Sequence, residues 1–455
     1  MWFRRDLRTD DLPALRAAAV AGRGQVVPLF VVDPALLRPS GPNRRRFLAG
    51  ALAALDAELD GGLVLRHGDP AEVVPAVAAE VGAEVVVVTA DFAPYGARRD
   101  GEVAARLAAE SRRLVAVGSN YVVAPGTART GEGRPYRVFT AFQRAWGRLE
   151  RQAPRPAPDI RGVELPSDTT PGQLLDARVA SPGEGLPAWW EGLPLGAAPT
   201  LPPAGAAEAW WRLERFVEDG RVARYAEDRD FPGRPATTRL SPYLRFGCLH
   251  PRSALSVLSP GPEAERLEAE LCWREFFADV LWHQPRSARA NLQAWADRLV
   301  WDTGSNARRH FLAWATGRTG YPLVDAGMRQ LLAEGWMHNR ARMVTASFLV
   351  KDLHLDWRWG ARWFMWHLCD ADLASNQHGW QWVAGTGTDA APFHRVMSPI
   401  RQLERFDADG LYTGHYLSDA GRAHQTTPVV DHAVERVEAL HRHAAARTES
   451  AELLP

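Results

Sequence analysis

The stretch DADLASNQHGWQW, which begins at Asp370, places several chemically capable side chains close together. The carboxylates of Asp370 and Asp372 can accept hydrogen bonds or balance a positive charge, and the amide of Asn376 can both donate and accept. Trp380 and Trp382 flank a single Gln and add two large aromatic rings. The pattern leaves two interpretations open: core packing with helix caps, or one wall of a site for a large aromatic cofactor.

A second group lies in ELCWREFF, where Glu270, Trp273 and Arg274 are three and four residues apart. This spacing places them on one face of a helix, where a carboxylate, an indole and a guanidinium could line a pocket for a flat, polar ligand. The alternative is an exposed Glu–Arg pair one helical turn apart, which contributes only ~0.3–0.5 kcal/mol. The residues alone leave the two interpretations level.

Two further segments could meet phosphate. TTRLSPYLRFG combines hydroxyls with a helix start, a combination that holds anions, although a plain N-cap at Ser241 before Pro242 is the simpler interpretation. GWMHNRARMV carries two arginines, an amide and Met343, whose polarisable sulfur suits contact with a planar ring. For this second segment, an amphipathic helix with a solvated arginine face is slightly favoured.

Tryptophan is unusually frequent, with 18 in the chain. Most of these residues lie between positions 273 and 382. Trp380, Trp357 and Trp301 could form a series of indoles from the core to the surface, as transfer of single electrons requires. Aromatic packing is the more common reason for clustered tryptophans.

The first part of the chain alternates β-branched runs with Ala-rich helical stretches such as RRRFLAGALAALDAEL and PAEVVPAVAAEVG. Buried parallel strands are predicted at QVVPLFVV (25–32), LVLR (63–66), EVVVV (84–88) and RLVAV (within 112–117), after a very short strand at MWF. This alternation predicts an α/β, doubly wound, Rossmann-like parallel-sheet domain over residues 1–125. No GxGxxG motif marks a dinucleotide site in it.

The rest of the chain divides by composition. Residues 126–205 are predicted to form an inter-domain connector, and its part from residue 152 to 205, rich in Pro, Gly and Ala, is predicted to have little regular structure. Residues 206–440 show helical spacing of Trp, Arg and Leu, which predicts an all-α domain. Residues 441–455 predict an irregular tail.

Composition excludes several classes of protein. The net charge is zero, so binding to a polyanion requires a local basic patch. Cys248, Cys272 and Cys369 lack C-x-x-C spacing, which argues against a disulfide framework or a zinc site, and no metal is expected. The sequence shows no apolar leader and no run of membrane-spanning length, which predicts a cytoplasmic protein without a membrane partner.

Taken together, the motifs resemble the photolyase/cryptochrome flavoproteins, and most closely the class I cyclobutane pyrimidine dimer photolyases. The resemblance covers nearly the whole chain and runs through WFRRDLR, RTGYPLVDAGMRQL, GWMHNRARM, KDLHLDWRWG and DLASNQHGWQWVAGTGTDAAP. It implies an N-terminal domain that binds an antenna pigment and a C-terminal all-α domain that binds FAD and DNA.

By this resemblance, FAD lies in a U shape inside the helical domain. The positions that match FAD contacts are Tyr225, Thr237, Thr238, Arg239, Leu240, Ser241, Arg274, Arg342, Asp370, Asp372 and Asn376. Asn376 matches the residue that faces flavin N5, where a neutral amide favours the reduced flavin. Glu270 matches the glutamate that hydrogen-bonds the damaged base.

The implied substrate is UV-damaged DNA with a flipped-out pyrimidine dimer; flipping requires a few kcal/mol, and least for damaged bases. Trp273 and Trp382 match indoles that flank the dimer, where stacking contributes roughly 1–3 kcal/mol per base. The other matched substrate or DNA positions are Arg229, Glu270, Asn339, Arg340, Met343, Arg395 and Gln402.

The implied reaction is light-driven transfer of an electron from reduced FAD to the dimer, followed by ring opening and return of the electron. Trp380, Trp357 and Trp301 match the relay that reduces an oxidised flavin. Some positions depart from the family pattern. Trp301 lies further from Trp314 than in typical relatives, Leu267 stands where an aromatic ring is common, and PFHRVMSP, which contains His394, replaces an aromatic-rich run.

The antenna pigment follows from a separate motif. FAPYGARRD resembles the corresponding run of members that bind 8-hydroxy-5-deazaflavin. On that resemblance Phe30, Asp33, Arg44 and Asp100 are the candidate antenna contacts. Deazaflavin is the first choice, an empty site the second and methenyltetrahydrofolate the third.

Two other functions compete with dimer repair. A cryptochrome-type blue-light sensor shares the FAD and the tryptophan series, but Glu270, Trp273 and Asn376 favour repair. A (6-4) photolyase resembles proteins with paired histidines where Asn339 and Met343 stand here. We therefore expect a monomeric enzyme that repairs cyclobutane dimers.

Overall fold

The computed structural model describes the chain over residues 1–163, 165–176, 181–182, 184–196, 198–259, 261–388, 395–417 and 427–451. Within these ranges no helix is both long and apolar enough to cross a membrane. Over the same residues, no group of three or more His, Cys, Asp or Glu could hold a metal ion. Cys248, Cys272 and Cys369 are buried free thiols.

Parallel strands form the centre of the N-terminal domain. They are β1 (Trp2–Phe3), β2 (Gln25–Val26), β3 (Leu29–Val32), β4 (Val64–His67), β5 (Val85–Ala90), β6 (Arg113–Ser119) and β7 (Arg161–Gly162). β3 pairs with β1 and β4, β5 with β6, and β2 with β7, all in parallel. The predicted strands are confirmed, except that Pro28 divides the first long run into β2 and β3 because proline has no N–H for a ladder.

Helices connect these strands. They are α1 (Pro13–Ala21), α2 (Pro34–Leu37), α3 (Pro42–Glu58), α4 (Pro70–Glu80) and α5 (Pro94–Ala109). Each begins with proline, whose fixed φ and missing N–H suit the first helical turn.

Side chains along the strands point alternately to the two faces of the sheet. Phe3, Phe30 and Leu65 lie in one apolar cluster, together with residues of α1 and α3. Trp2 and Val31 lie in a second cluster with residues of α4 and α5. Because both faces are covered by helices, the predicted doubly wound α/β domain is confirmed.

The remainder of the chain is helical. Its α-helices are α6 (Phe139–Trp146), α7 (Gln173–Asp176), α8 (Ala206–Glu218), α9 (Tyr225–Asp228), α10 (Ser241–Phe246), α11 (Pro251–Ser256), α12 (Pro262–His283), α13 (Gly304–Ala315), α14 (Pro322–Glu334), α15 (Asn339–Lys351), α16 (Trp357–His367), α17 (Leu373–Ala384), α18 (Pro399–Phe406), α19 (Leu411–Leu417) and α20 (His432–Ala451). The 3-10 turns are Ala188–Trp190, Pro285–Ala288 and Ala294–Arg298. The all-α character predicted for the C-terminal domain is confirmed.

Little regular structure is predicted for residues 152–205, where the described helices are the short α7 and the 3-10 turn Ala188–Trp190; α6 lies earlier in the connector. The predicted tail differs from the structure. Helix α20 continues to Ala451 through residues predicted to form an irregular tail. The last four residues, 452–455, lie outside the described part of the chain.

The two domains share one core. The ring of Phe47 on α3 lies 5.3 Å from that of Phe246 on α10, centroid to centroid. Asp11 pairs with Arg252 at 2.6 Å between Oδ1 and Nη2. At Gly247 (φ +69°) an added Cβ would lie 1.9 Å from the Arg5 carbonyl oxygen, so only glycine allows this approach.

Candidate active site

Asp372 begins helix α17 and joins the two domains. Its Oδ1 accepts from the Ser375 backbone N–H at 3.1 Å, and its Oδ2 pairs with Nη2 of Arg5 at 2.5 Å. Burial alone would raise the pKa of this carboxyl. Three nearby guanidinium groups, of Arg5, Arg245 and Arg274, outweigh burial and hold the pKa of Asp372 below its ordinary value. The predicted cofactor contact is therefore an ionised carboxylate at neutral pH.

Asp370 is held by helix α15. Arg342 donates from Nη2 to Oδ2 of Asp370 at 2.7 Å and from Nε to the Met337 carbonyl at 2.8 Å. The side chain of Asp370 is buried, and its Oδ1 has no hydrogen-bond partner among the described residues. A buried acceptor without a partner is destabilising, so Oδ1 is suited to accept from a ligand N–H.

Asn376 lies one turn into α17. Its Nδ2 donates to the Ala361 carbonyl at 3.1 Å and to Oε1 of Gln377 at 2.9 Å. Both N–H groups of the side-chain amide thus have acceptors within the described structure. The amide oxygen, Oδ1, is the atom that Asn376 can offer to a ligand as an acceptor.

Glu270 belongs to a chain of alternating charges. Its Oε1 pairs with Nη2 of Arg229 at 3.0 Å and with Nη2 of Arg266 at 3.3 Å. Burial raises the pKa of Glu270, although the two arginines oppose that shift. Asp230 continues the chain, because it pairs with Nη2 of Arg340 at 2.7 Å. Arg229 is 8% exposed, so it contacts Glu270 rather than open solvent.

The hydroxyl-rich run ends at helix α10, and the predicted N-cap is wrong. Leu240 precedes the helix and makes no side-chain cap, while Ser241 is the first helical residue. The Ser241 hydroxyl instead accepts from Nε1 of Trp336 at 3.1 Å. Arg239 has a left-handed backbone (φ +51°) and lies 4.3 Å above the Trp336 ring.

A cavity of about 390 Å³ adjoins this run. Thr237, Thr238, Arg239 and Trp336 line it, together with His338. His338 is 2% exposed, and its Nε2 has no partner among the described residues. Its Nδ1 accepts from the Arg340 backbone N–H, so Nε2 carries the proton of the neutral ring and is a free donor.

Neighbouring groups set the protonation state of Tyr225 and the position of the Arg274 side chain. Burial, and secondarily the charge of Glu270, raise the pKa of Tyr225 to about 12, so its phenol stays protonated. Arg274 donates from Nη1 to the Asn120 carbonyl at 3.1 Å and from Nη2 to the Leu244 carbonyl at 3.2 Å.

The predicted substrate residues differ in exposure. Trp273 is half-buried and stacks on Phe139 with ring centroids 3.6 Å apart. Asn339 is exposed and lies 3.9 Å from the Met343 sulfur, measured from Nδ2. Trp382 is half-buried against the helical core.

The predicted DNA contacts differ in their surroundings. Arg340 lies 4.2 Å above the ring of Phe406. Gln402 has a buried Oε1 without a partner among the described residues. Arg395 is exposed, and its carbonyl accepts from the Lys351 ammonium. His394 lies outside the described residues.

The tryptophans of the predicted relay lie at different depths. Trp380 is 3% exposed, and its ring is 4.9 Å from Phe364 and 6.1 Å from Trp314. Trp357 is buried and donates to Asn291 at 2.9 Å, while Trp301 is half-buried. In the described part of the chain, no close ring contact joins the three predicted members to one another, so the relay stays a prediction.

The four candidate antenna residues are engaged with protein groups. Asp33 accepts from the Ala35 N–H at 2.8 Å and from the Tyr95 hydroxyl at 2.5 Å. Phe30 is buried in β3. Asp100 pairs with Arg4 and Arg99, and Arg44 donates from Nη2 to the Pro39 carbonyl. Burial also lowers the pKa of Arg44 to about 10.

Comparisons with known proteins cover nearly the whole chain. The DNA photolyase family matches residues 1–159, and the FAD binding domain of DNA photolyase matches residues 267–439. The deoxyribodipyrimidine photo-lyase of Halobacterium salinarum is 39% identical, over 96% of this chain and 97% of that protein. The chain belongs to the photolyase/cryptochrome family.

Two solved photolyase structures share the fold of this family member. A class III photolyase from Agrobacterium tumefaciens superimposes with a TM-score of 0.86 at 34% identity and covers 98% of this chain and 97% of its own. An archaeal photolyase from Sulfolobus tokodaii, which holds two FAD molecules, gives 0.80 at 27% identity over 98% and 99%. The predicted family and fold class are confirmed, whereas the class I assignment stays a prediction.

The residues of this photolyase-family site fit FAD. The buried Oδ1 of Asp370 and Nε2 of His338 are an acceptor and a donor without partners among the described residues. A flavin nucleotide carries both ring N–H groups and oxygen acceptors that match such atoms. The FAD-binding match covers α15 and α17, and FAD is therefore the cofactor.

Sequence reasoning missed three residues at this site. Arg5, which pairs with Asp372, lies in the WFRRDLR motif, but the partner is 367 residues away. Phe139 stacks on Trp273 from within the supposed connector. Trp314 contacts Trp380 more closely than any predicted relay member does. The density of tryptophan in this part of the chain was the one available signal for that contact.

Proposed function

We propose that this protein is a light-dependent DNA repair enzyme, a deoxyribodipyrimidine photo-lyase that splits cyclobutane pyrimidine dimers. The observation that carries the proposal is Glu270, a half-buried carboxylate on α12 with a raised pKa. Trp273 presents a flat ring from the same helix. The 39% identity with a deoxyribodipyrimidine photo-lyase, over nearly the full length of both chains, supports the same reaction.

When bound, FAD supplies light absorption and, in its reduced form, the electron that opens the dimer and is then recovered. The chain's own residues hold the cofactor in place. Asp372 offers a fixed negative charge, because Arg5 keeps it ionised. Asp370, held by Arg342, and Asn376 offer oxygen acceptors in fixed directions.

Glu270 acts on the substrate. Because burial raises its pKa, its carboxyl holds a proton more readily than an exposed glutamate. A protonated carboxyl can donate a hydrogen bond to a pyrimidine carbonyl. That bond stabilises the negative charge that develops on the dimer, and it is stronger in a site from which water is excluded.

DNA binding at zero net charge relies on arginines around the pocket. Such phosphate contacts position the duplex without reading its sequence. Arg395 is the exposed candidate, and Arg340 is half-buried. Arg229 contacts Glu270 at 3.0 Å, so its proposed contact with DNA would take place beside the lesion rather than on the outer surface.

The tryptophans supply electrons that reduce an oxidised cofactor. Trp380 is the proposed inner member, because it is buried and lies on α17 with Asn376. Trp357 and Trp301 are the proposed middle and terminal members.

The second pigment remains a choice between candidates. The FAPYGARRD motif supports 8-hydroxy-5-deazaflavin, with an empty site second and methenyltetrahydrofolate third. The Sulfolobus tokodaii photolyase carries two FAD molecules, which adds FAD as a further candidate. An absorption spectrum of the purified protein separates these, because deazaflavin, folate and flavin absorb at different wavelengths.

The decisive experiment illuminates the reduced holoprotein with duplex DNA that contains one thymine cyclobutane dimer. We expect intact thymines to appear in the light and not in the dark. Absence of intact thymine in the light would contradict the repair function and favour a blue-light sensor. Repair of a (6-4) lesion without repair of the dimer would assign the protein to the other repair class.

A further inference from the structure

We infer that Phe139 positions Trp273 for stacking on the lesion, so that the connector forms the back wall of the substrate pocket. The inference rests on the proposed function. It adds a specificity-determining residue outside the two domains that hold the cofactors. Phe139 opens α6, within the predicted inter-domain connector.

The contact between the two rings is close and parallel. Their centroids lie 3.6 Å apart and their planes differ by 7°. The ring of Phe277 lies 5.3 Å from Trp273 at 45°, and that of Phe276 lies 5.8 Å away at 73°. Phe139 therefore covers one face of the indole, and a pyrimidine can stack only on the opposite face.

Helix α6 is amphipathic and presents one apolar face to α12. Phe139, Phe142 and Trp146 follow the spacing i, i+3, i+7 of a helical stripe. Phe142 packs on Phe276 with centroids 5.3 Å apart. Trp146 is fully buried, so the far end of α6 is anchored while Phe139 remains half-buried at the pocket.

A buried carboxylate fixes this arrangement. Glu275 on α12 accepts from Nε1 of Trp146 at 2.6 Å and from the backbone N–H groups of Val122 and Val123. Asp279, one turn further along α12, accepts from the Gly126 N–H at 2.7 Å. The start of the segment that leads into α6 and the far end of α6 are thus attached to the helix that carries Trp273.

The consequence is preorganisation. Without Phe139 neither face of the half-buried indole would have a parallel ring stacked on it, so the indole could change rotamer and binding would have to restrict that freedom. Phe139 removes the freedom before substrate arrives. Its effect should therefore appear in discrimination between damaged and intact DNA, where stacking on the flipped bases decides affinity.

The test measures binding in the dark by the FAD-loaded protein. The two ligands are a duplex with one thymine dimer and the same duplex without it. For Phe139→Leu we expect the ratio of the two affinities to fall about 3- to 10-fold, the size of one aromatic pair. Affinity for intact DNA should stay unchanged, and Phe139→Tyr should restore the ratio.

Phe142→Leu is the matched control, because it removes a phenyl ring from the same helix that packs on Phe276 and not on Trp273. We expect it to lower the melting temperature and leave the ratio unchanged. A ratio lowered as much by Phe142→Leu as by Phe139→Leu would show a merely structural role and overturn the inference.

A double-mutant cycle with Trp273→Leu tests the route of the effect. If Phe139 acts through the indole, Phe139→Leu adds no further loss in that background; a full additional loss overturns the inference. An unchanged ratio in Phe139→Leu alone, with a wild type that prefers dimer DNA and repairs it, overturns the inference and leaves the proposed function intact. A wild type without preference for dimer DNA overturns both.

Discussion

At the scale of residues, the site depends on carboxyl groups with opposite shifts in pKa. Asp372 is held ionised by arginines, while burial favours the protonated form of Glu270. In the proposed reaction, Asp372 would balance charge near the cofactor and Glu270 would donate a hydrogen bond to the substrate. The environments, not the residue types, separate the two roles.

Glu270→Ala should lower the quantum yield of dimer repair while FAD stays bound. The expected loss is roughly fivefold, which corresponds to one hydrogen bond of about 1 kcal/mol. Repair yield and the flavin spectrum are measured on the same samples. Glu268→Ala is the control, because Glu268 lies on the same helix and pairs with Arg151 instead. An unchanged yield in Glu270→Ala would remove Glu270 from the catalytic residues.

Arg5→Leu should weaken FAD binding. Loss of its ion pair with Asp372 removes a charge-assisted bond and raises the pKa of that carboxyl, so the dissociation constant should rise roughly tenfold or more. The dissociation constant is measured by titrating the apoprotein with FAD, and the flavin-to-protein ratio of the purified variant gives a second measure of FAD binding. Arg16→Leu changes an arginine of the same domain that bonds the Pro156 carbonyl, and should retain FAD. Equal affinity in both variants would exclude this role for Arg5.

At the scale of elements, α16 and α17 approach so closely that a residue without a side chain is required. A Cβ on Gly360 would lie 2.1 Å from the Trp380 ring. The two helices thereby fix the indole that starts the proposed relay. The position of Trp380 is a property of the helix pair rather than of its own rotamer preference.

Gly360→Ala should displace Trp380 and slow light-driven reduction of the cofactor. Overpacking of this kind destabilises by about 1–3 kcal/mol. Gly379→Ala is the matched control on α17, since nothing lies within 4 Å of an added Cβ there. We expect that control to keep both the melting temperature and the rate of photoreduction. A normal rate in Gly360→Ala would show that the relay tolerates movement of this indole.

The sequence predicts the elements better than their contacts. The β-branched runs predict the strands because burial on both faces demands such residues. The sequence also groups Asp370, Asp372 and Asn376 around the start of α17, and their role as cofactor contacts stays a prediction. The pair Arg5–Asp372 and the stack Phe139–Trp273 depend on how distant segments meet. Neither periodicity nor local spacing contains that information.

At the scale of the whole molecule, several histidines are buried as neutral rings. Burial lowers the pKa of His338 and His367 to about 3 and that of His378 to about 4, and it places the pKa of His250 well below its ordinary value. The unfolded chain protonates these groups near pH 6.5. The folded chain binds fewer protons there, so acid favours unfolding.

Stability should therefore fall as pH decreases from about 6.5 towards 4. Each such histidine lowers the free energy of unfolding as the pH falls through that window, because the unfolded chain takes up a proton that the folded chain does not. Glu275 acts in the opposite sense, because burial raises its pKa to about 6 and its contribution is lost as pH rises from 4.5 through 6. Urea midpoints at pH 5 and pH 7.5 measure the net effect. A higher midpoint at pH 5 would contradict the dominance of the histidines.

The bond between Arg5 and Asp372 also has a consequence for biosynthesis. The ribosome adds Arg5 near the start of translation and Asp372 only 367 residues later. The ion pair therefore cannot form on a nascent chain until most of the protein has emerged. A product terminated before Asp372 would contain only one side of this ion pair, so the proposed FAD contact at Asp372 is completed only late in synthesis.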